Sequence, residues 1–113
     1  MPSMKNEGKG TTVANDLRIA TSIWSRFWGL MGRRQLPEGQ GLLIDPCSSI
    51  HMFFMRFPLD VIFLDKEGKV VKIVEDIKPW RMAMGGGGKM ALELNSGAAS
   101  QAQVEVGDKL VID

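Results

Sequence analysis

The chain is poor in the residues that most often announce a function. It holds one cysteine, Cys47, and one histidine, His51. A single cysteine excludes an intrachain disulfide, so the fold rests on its apolar core. With no Cys-x-x-Cys pair and no second histidine, nothing supports an ordinary zinc site. An excess of one charge is also missing. Fourteen Lys and Arg against 13 Asp and Glu leave a net charge of +1. There is then no global basic field for nucleic acid and no acidic tail. No apolar run approaches the roughly 18 residues that would suggest a membrane span. The first ten residues, MPSMKNEGKG, contain no apolar stretch of the signal-peptide kind. With the lone thiol, that makes the cytoplasm the default expectation. No internal repeat and no interdomain linker stands out.

What is present is an ordinary globular composition, 44% hydrophobic and 24% charged, which argues against disorder. Residues 1–12 are expected to form a flexible tail, and 13–113 one barrel-like domain. Val13 to Ala20 suggests a first strand. Ile23, Trp24, Phe27, Trp28, Leu30 and Met31 then recur at helical spacing. Ser22 can cap that helix, and Gly32 can end it. Leu42 to Ile44 is a short apolar strand, and Ile50 to Met55 is extended until Pro58 breaks it. Leu59 to Leu64 is apolar on both faces and predicts a central strand. Asp65 to Gly68 turns the chain into a return strand over Lys69 to Glu75. Pro79 to Gly88 is expected to be a long loop, ending in four glycines that could form a flexible lid. Met90 to Leu94 alternates, with Met90, Leu92 and Leu94 facing in and Ala91 and Glu93 facing out. Val104 to Val106 alternates again, and Leu110 to Ile112 is the last strand. The predicted class is mainly β (α+β): a small β-barrel or rolled sheet with one short amphipathic helix.

The most informative stretch is CSSIHMFFMRFPLDVIFLD, Cys47 to Asp65. It sets Cys47, His51, Arg56 and Asp60 into an apolar run. A buried carboxylate must be paired, hydrogen-bonded or protonated, so Asp60 needs partners. Arg56, His51 and backbone N–H groups near Pro58 are the candidates. One reading is a polar ligand pocket built from Asp60, His51, Arg56 and Met55, with Trp80 and Arg81 from the later loop. The architectural alternative, favoured about two to one, has Asp60 capping backbone N–H groups at a corner of the sheet. A second functional reading pairs Cys47 with His51, oriented by Asp60, as a nucleophilic set. In an extended chain those two side chains lie about 13 Å apart, so a turn at Ser48-Ser49 would be required. A third gathers Met52, Met55, Met82 and Met84 with His51 or Cys47 around a soft metal such as Cu(I). Methionine is also a common filler of cores. Gly85 to Lys89 is not a phosphate loop, because Met90 stands where Ser or Thr is required. Arg26, Arg33 and Arg34 beside Trp24 and Trp28 form a basic, aromatic cluster. Core packing of the tryptophans explains it better, and no nucleic-acid partner is expected. No catalytic residue, metal-ligand set or cofactor is assigned. The favoured function is a non-catalytic binding or accessory domain for a small molecule or protein, and Asp60→Ala should destabilise it.

Three ordered blocks carry a resemblance. They are RFWGLMGRR from Arg26 to Arg34, the run from His51 to Gly68 with Met55 and Pro58-Leu59-Asp60, and Leu92-Glu93-Leu94 followed by Val106-Gly107-Asp108. Together they resemble the prokaryotic domain-of-unknown-function family numbered 192, from about Leu17 to Ile112. The resemblance implies a compact β-barrel-like fold with a short helix. It implies no known reaction, cofactor or substrate, and it suggests that many relatives are exported.

Overall fold

A strand that is apolar on both faces needs cover on both faces, and that requirement organises this molecule. The computed structural model describes residues 2–21, 36–53 and 55–113. In chain order its elements are β1 (Met4–Asn6), β2 (Thr11–Ala14), β3 (Asp16–Ala20), β4 (Gln40–Ile44) and β5 (Ser49–His51). They continue with β6 (Leu59–Leu64), β7 (Val70–Ile77), β8 (Met82–Met84), β9 (Met90–Asn95), α1 (Ala98–Gln101) and β10 (Leu110–Ile112). All six residues of β6 are buried. It lies inside a five-stranded sheet of order β3-β4-β9-β6-β7, flanked by β9 and β7. Its β-branched and aromatic side chains suit a pleated surface packed on both sides.

The two sides of β6 feed two separate cores. Leu59, Val61 and Phe63 pack with Leu42, Ile44 and Ala91 on one face. Ile62 and Leu64 pack with Leu43, Leu92 and Leu94 on the other. The second face is covered by the three-stranded sheet β10-β1-β2 and by α1, which contribute Leu110, Met4, Val13 and Ala99. The first face is covered by the antiparallel ribbon β5-β8, through Ile50 and Ala83. Met52, Met55 and Phe57, from the segment after β5, complete that cover.

Several expectations are revised by this arrangement. The mainly β class and the rolled sheet hold, but the strands do not close a barrel among the described residues. The edge strands β3 and β7 of the main sheet do not pair with each other. The expected tail over residues 1–12 is instead largely a hairpin. Met4–Asn6 pairs with both β10 and β2, and Met4 is only 2% exposed. A three-residue strand with one large apolar side chain has no period to read. The expected first strand divides at Asn15 into β2 and β3. The expected glycine lid is a packed turn, with β8 lying just before it. Gly88 N–H donates to Gly85 O at 3.0 Å, and a Cβ on Gly85 would stand 2.5 Å from Ser48 O and 2.9 Å from Phe63. Such contacts require glycine for close approach. Ala91 and Glu93 do not face water; both are fully buried, because the ribbon side of the sheet is covered as well. Val104 to Val106 is a turn segment, with Val104 buried and Val106 exposed. The amphipathic helix expected from Ser22 to Gly32, with its Trp24 and Trp28, lies outside the described residues. The described helix is the single turn α1.

Candidate functional site

Asp60 decides the first question. Opposite it, β7 carries a bulge: Leu59 pairs with Ile77 and Val61 with Val74, so Glu75 and Asp76 stand where one residue would. A bulge leaves a ladder group unpaired. Asp60 Oδ1 accepts that group, the Asp76 N–H, at 2.8 Å. Its other oxygen, Oδ2, accepts the N–H groups of Gly97 and Ala99, each at 3.0 Å. These lie at the start of α1, whose N-cap is a glycine without a side chain to offer. Asp60 is 1% exposed. One carboxylate thus satisfies three backbone donors and ties β6, β7 and α1 together. Asp76 extends the junction, accepting from Ser96 Oγ and Lys78 Nζ, each at 2.7 Å. The Lys78 ammonium, then the Ser96 hydroxyl, hold the Asp76 carboxyl below the usual aspartate range.

Asp60 is therefore a buried partner of the backbone and not an open ligand group, since both its oxygens already serve backbone N–H donors. Nor is the set Cys47, His51 and Asp60 assembled. Asp60 lies on the α1 side of the sheet, with Ala99 as a partner. His51 belongs to the ribbon on the opposite side, where Ile50 packs. The sheet separates the imidazole from its supposed orienting acid. Arg56 is exposed and is not the partner of Asp60. Met55 is buried in the ribbon-side core, as is Met52. Cys47 Sγ donates to Ser49 O at 3.0 Å. Cys47 and His51 both line a cleft of about 210 Å³. A second, open cleft of about 620 Å³ lies beside it, between Asp45, Cys47, Lys66 and Lys89.

The structure does bring His51 and Trp80 into one surface, through a residue that the sequence reading passed over. The His51 ring stacks on Phe53 at 5.0 Å between centroids, and Phe53 stacks on Trp80 at 6.0 Å, both at 29°. Phe53 is 38% exposed and Trp80 59%. The ribbon lays two methionines next to this ladder. Its register opposes His51 to Met82 and Ser49 to Met84, with Ile50 and Ala83 between them. Since Ile50 and Ala83 point into the core, alternation puts His51, Met82, Ser49 and Met84 on the outer face, though His51 is only half-buried there and its Nδ1 is buried, which leaves Nε2 as its outer nitrogen. Met82 is 63% exposed and Met84 64%. Of the large exposed apolar side chains among the described residues, Phe53, Trp80, Met82 and Met84 lie on or beside the ribbon, while Ile19, Val106 and Ile112 belong to other elements. Trp80 also holds a left-handed φ of 70°, which a bulky residue adopts only under constraint. Its N–H donates to Met52 O at 2.7 Å, and Met52 N–H donates to Arg81 O at 2.7 Å. Those bonds pin the strained corner from which the indole projects.

Charge sharpens the picture. The stretches 46–59 and 77–92 contain no Asp or Glu but carry Arg56, Lys78, Arg81 and Lys89, of which Lys78 pairs with Asp76; beside them β7 adds Lys72, whose Nζ donates to Met84 O at 2.8 Å. Among the described residues neither Arg56 nor Arg81 forms an ion pair. No three His, Cys, Asp or Glu side chains cluster as metal ligands among the described residues. No described helix is long and apolar enough to cross a membrane.

Comparison with known proteins now bears on these features. The model of domain-of-unknown-function family 192, described as an uncharacterised ACR, matches residues 4–112. The chain belongs to this family. A UPF0127 protein of Pyrococcus furiosus is 34% identical over 113 residues, covering 95% of both chains. Another, from Thermococcus sibiricus, is 33% identical over 110 residues, covering 93% of this chain and 71% of the relative. A crystal structure of a protein of unknown function from Novosphingobium aromaticivorans superposes with a TM-score of 0.80 at 22% identity, covering 97% of this chain and 82% of that one. One from Sinorhizobium meliloti, provisionally described as a transcription regulator, gives 0.81 at 27% identity, covering 98% and 91%. The family-192 fold is thus shown, and the relatives bring no specific activity with it. The Pro58-Leu59-Asp60 block of the segment from His51 to Gly68 falls at the β6–β7–α1 junction, where Asp60 has architectural work. Its His51 end opens onto the exposed ribbon.

Proposed function

We propose that this family-192 domain is a non-catalytic binding module whose working surface is the outer face of β5-β8. The observation that carries the reading is the exposure of Phe53, Trp80, Met82 and Met84 on and beside the β5-β8 ribbon, in stretches that contain no Asp or Glu. Concentrated apolar exposure of this kind marks an interaction site. Methionines adapt to varied partners, and tryptophan anchors interfaces. The occupant is an acidic, apolar segment of another polypeptide. Apolar side chains would cover the ring ladder and methionines, while carboxylates would meet Arg56 and Arg81. A second copy of the chain fits less well, because its own arginines would face these across the interface.

The test uses a synthetic peptide alternating Glu and Leu, with a Lys/Leu peptide as its control. Amide chemical-shift mapping should place the acidic peptide on residues 49–53 and 80–84. Binding should weaken with salt and fall on Arg81→Glu. Equal binding of the two peptides, or shifts confined to other surfaces, would overturn the reading. So would tighter binding of a single-stranded oligonucleotide or of anionic vesicles.

A further inference from the structure

Two thioethers more than 60% exposed, set across a ribbon from the only histidine, call for an explanation beyond packing. Apolar docking alone would be served as well by leucine. The register is informative here. Gly85 N–H donates to Ser48 O at 2.8 Å, and Met52 N–H donates to Arg81 O at 2.7 Å. Bonded pairs recur every second residue in an antiparallel ladder, so 48/85, 50/83 and 52/81 form one set. His51 and Met82 are then a non-bonded pair. In such pairs opposed Cα atoms lie about 4.5 Å apart and their side chains come closest. Met84 follows Met82 by two residues on the same face, at a diagonal Cβ separation of about 7–8 Å from His51. An unbranched side chain with three rotatable bonds can close that gap.

We propose that His51, Met82 and Met84 form a binding site for a soft monovalent cation, Cu(I) or its surrogate Ag(I). The proposal shares with the preceding section the reading of this face as the working surface, and adds a metal to it. Thioether sulfur selects Cu(I) over hard cations, and imidazole is a competent copper ligand. None of the three ligands is an anion, and the stretches 46–59 and 77–92 that carry them contain no carboxylate. Mg²⁺ and Ca²⁺, which require oxygen ligands, are therefore refused. Zn²⁺ finds only one of the nitrogen, thiolate or carboxylate donors it favours. Lys72, whose Nζ donates to Met84 O at 2.8 Å, disfavours a divalent ion more than a monovalent one. Phe53 stacks on the His51 ring, with the Trp80 indole one ring further off, so the imidazole is flanked by an aromatic face. Met52 and Met55, by contrast, are core residues and cannot ligate at this surface.

The test titrates Ag(I) into the full chain carrying Cys47→Ser, so that the lone thiol cannot take the ion. The readout is the methyl NMR signals of the methionines. The expected result is one equivalent bound, with two methyl signals shifting and being lost respectively in Met82→Leu and Met84→Leu. The Met82→Leu, Met84→Leu double variant keeps its apolar bulk, and its affinity should fall by about tenfold or more. Competition against a Cu(I) chelator should give the same ranking, and Zn²⁺ should produce no such shifts. Silver binding that disappears with Cys47→Ser, or that survives the double variant unchanged, overturns the metal site. The Glu/Leu peptide assay on the same double variant separates the two claims. Peptide binding kept while metal binding is lost upholds the site. Both absent from the parent chain would end both readings.

Discussion

The two faces of the five-stranded sheet are closed by different means. On the α1 face, buried polar groups are hydrogen-bonded. Asp60 takes three backbone N–H groups there. At the edge of the covering sheet, the buried Asn6 donates its side-chain amide to Asp108 at 2.9 Å. Asp108 also accepts from Glu105 N–H and pairs with Lys9 at 3.0 Å. On the ribbon face, the inner side of β5-β8 is equally well packed, but its outer side shows rings and thioethers to water. Elaborate polar satisfaction thus serves the fold on one face. Apolar exposure on the other face is what motivates the binding surface proposed above. The segment from His51 to Asp65 thus contributes to both faces: Asp60 to the α1 junction, and His51 to the ribbon.

That contrast can be broken experimentally. The largest effect is expected at Asp60. Asp60→Ala leaves three buried donors without an acceptor and should cost about 3 kcal/mol in urea denaturation. Asp60→Asn, which keeps one acceptor oxygen, should cost less. A variant as stable as the parent would mean that the junction is not held by this carboxylate.

A smaller effect is expected from acid. The Asn6 amide, then the Glu105 N–H and the Lys9 ammonium, hold the Asp108 carboxyl below its ordinary range. A depressed carboxylate contributes stability that is present above the unfolded-state pKa. That stability is lost as pH falls through the folded-state value. Urea midpoints of the parent and Asp108→Asn should therefore differ near neutral pH and converge in acid. A gap that persists in acid would assign the difference to something other than this ionisation.

The smallest effect should come from the ribbon surface. Met82→Ser and Met84→Ser remove side chains that face water, so each should change stability by no more than about 0.5 kcal/mol. A large loss would show that these methionines serve the fold after all, and the contrast between the faces would fall.

Much of the frame was legible in the residues. Leu59 to Leu64 could only be a strand covered on both sides, and Asp65 to Gly68 could only turn it back. The hairpin with β7 follows from those two facts. Apolar pattern and turn chemistry are local, so a sequence states them directly. The N-terminal hairpin was hidden because its pairing with β10 joins the two ends of the chain. Glu93 read as outward-facing because alternation reports which residues share a face, and not whether that face is covered.

The candidate site shows the same division. The sequence by itself determined that Asp60 would need partners, that one histidine and one cysteine limit the chemistry, and that soft donors abound. Only the tertiary structure decided that the partners are Asp76, Gly97 and Ala99, residues 16 to 39 positions away. Only the ribbon register set Met82 opposite His51 and sent Met52 and Met55 inward. The physical reason is that burial cost depends on a residue's own chemistry. Who meets it inside depends on pairings that the rest of the chain must close.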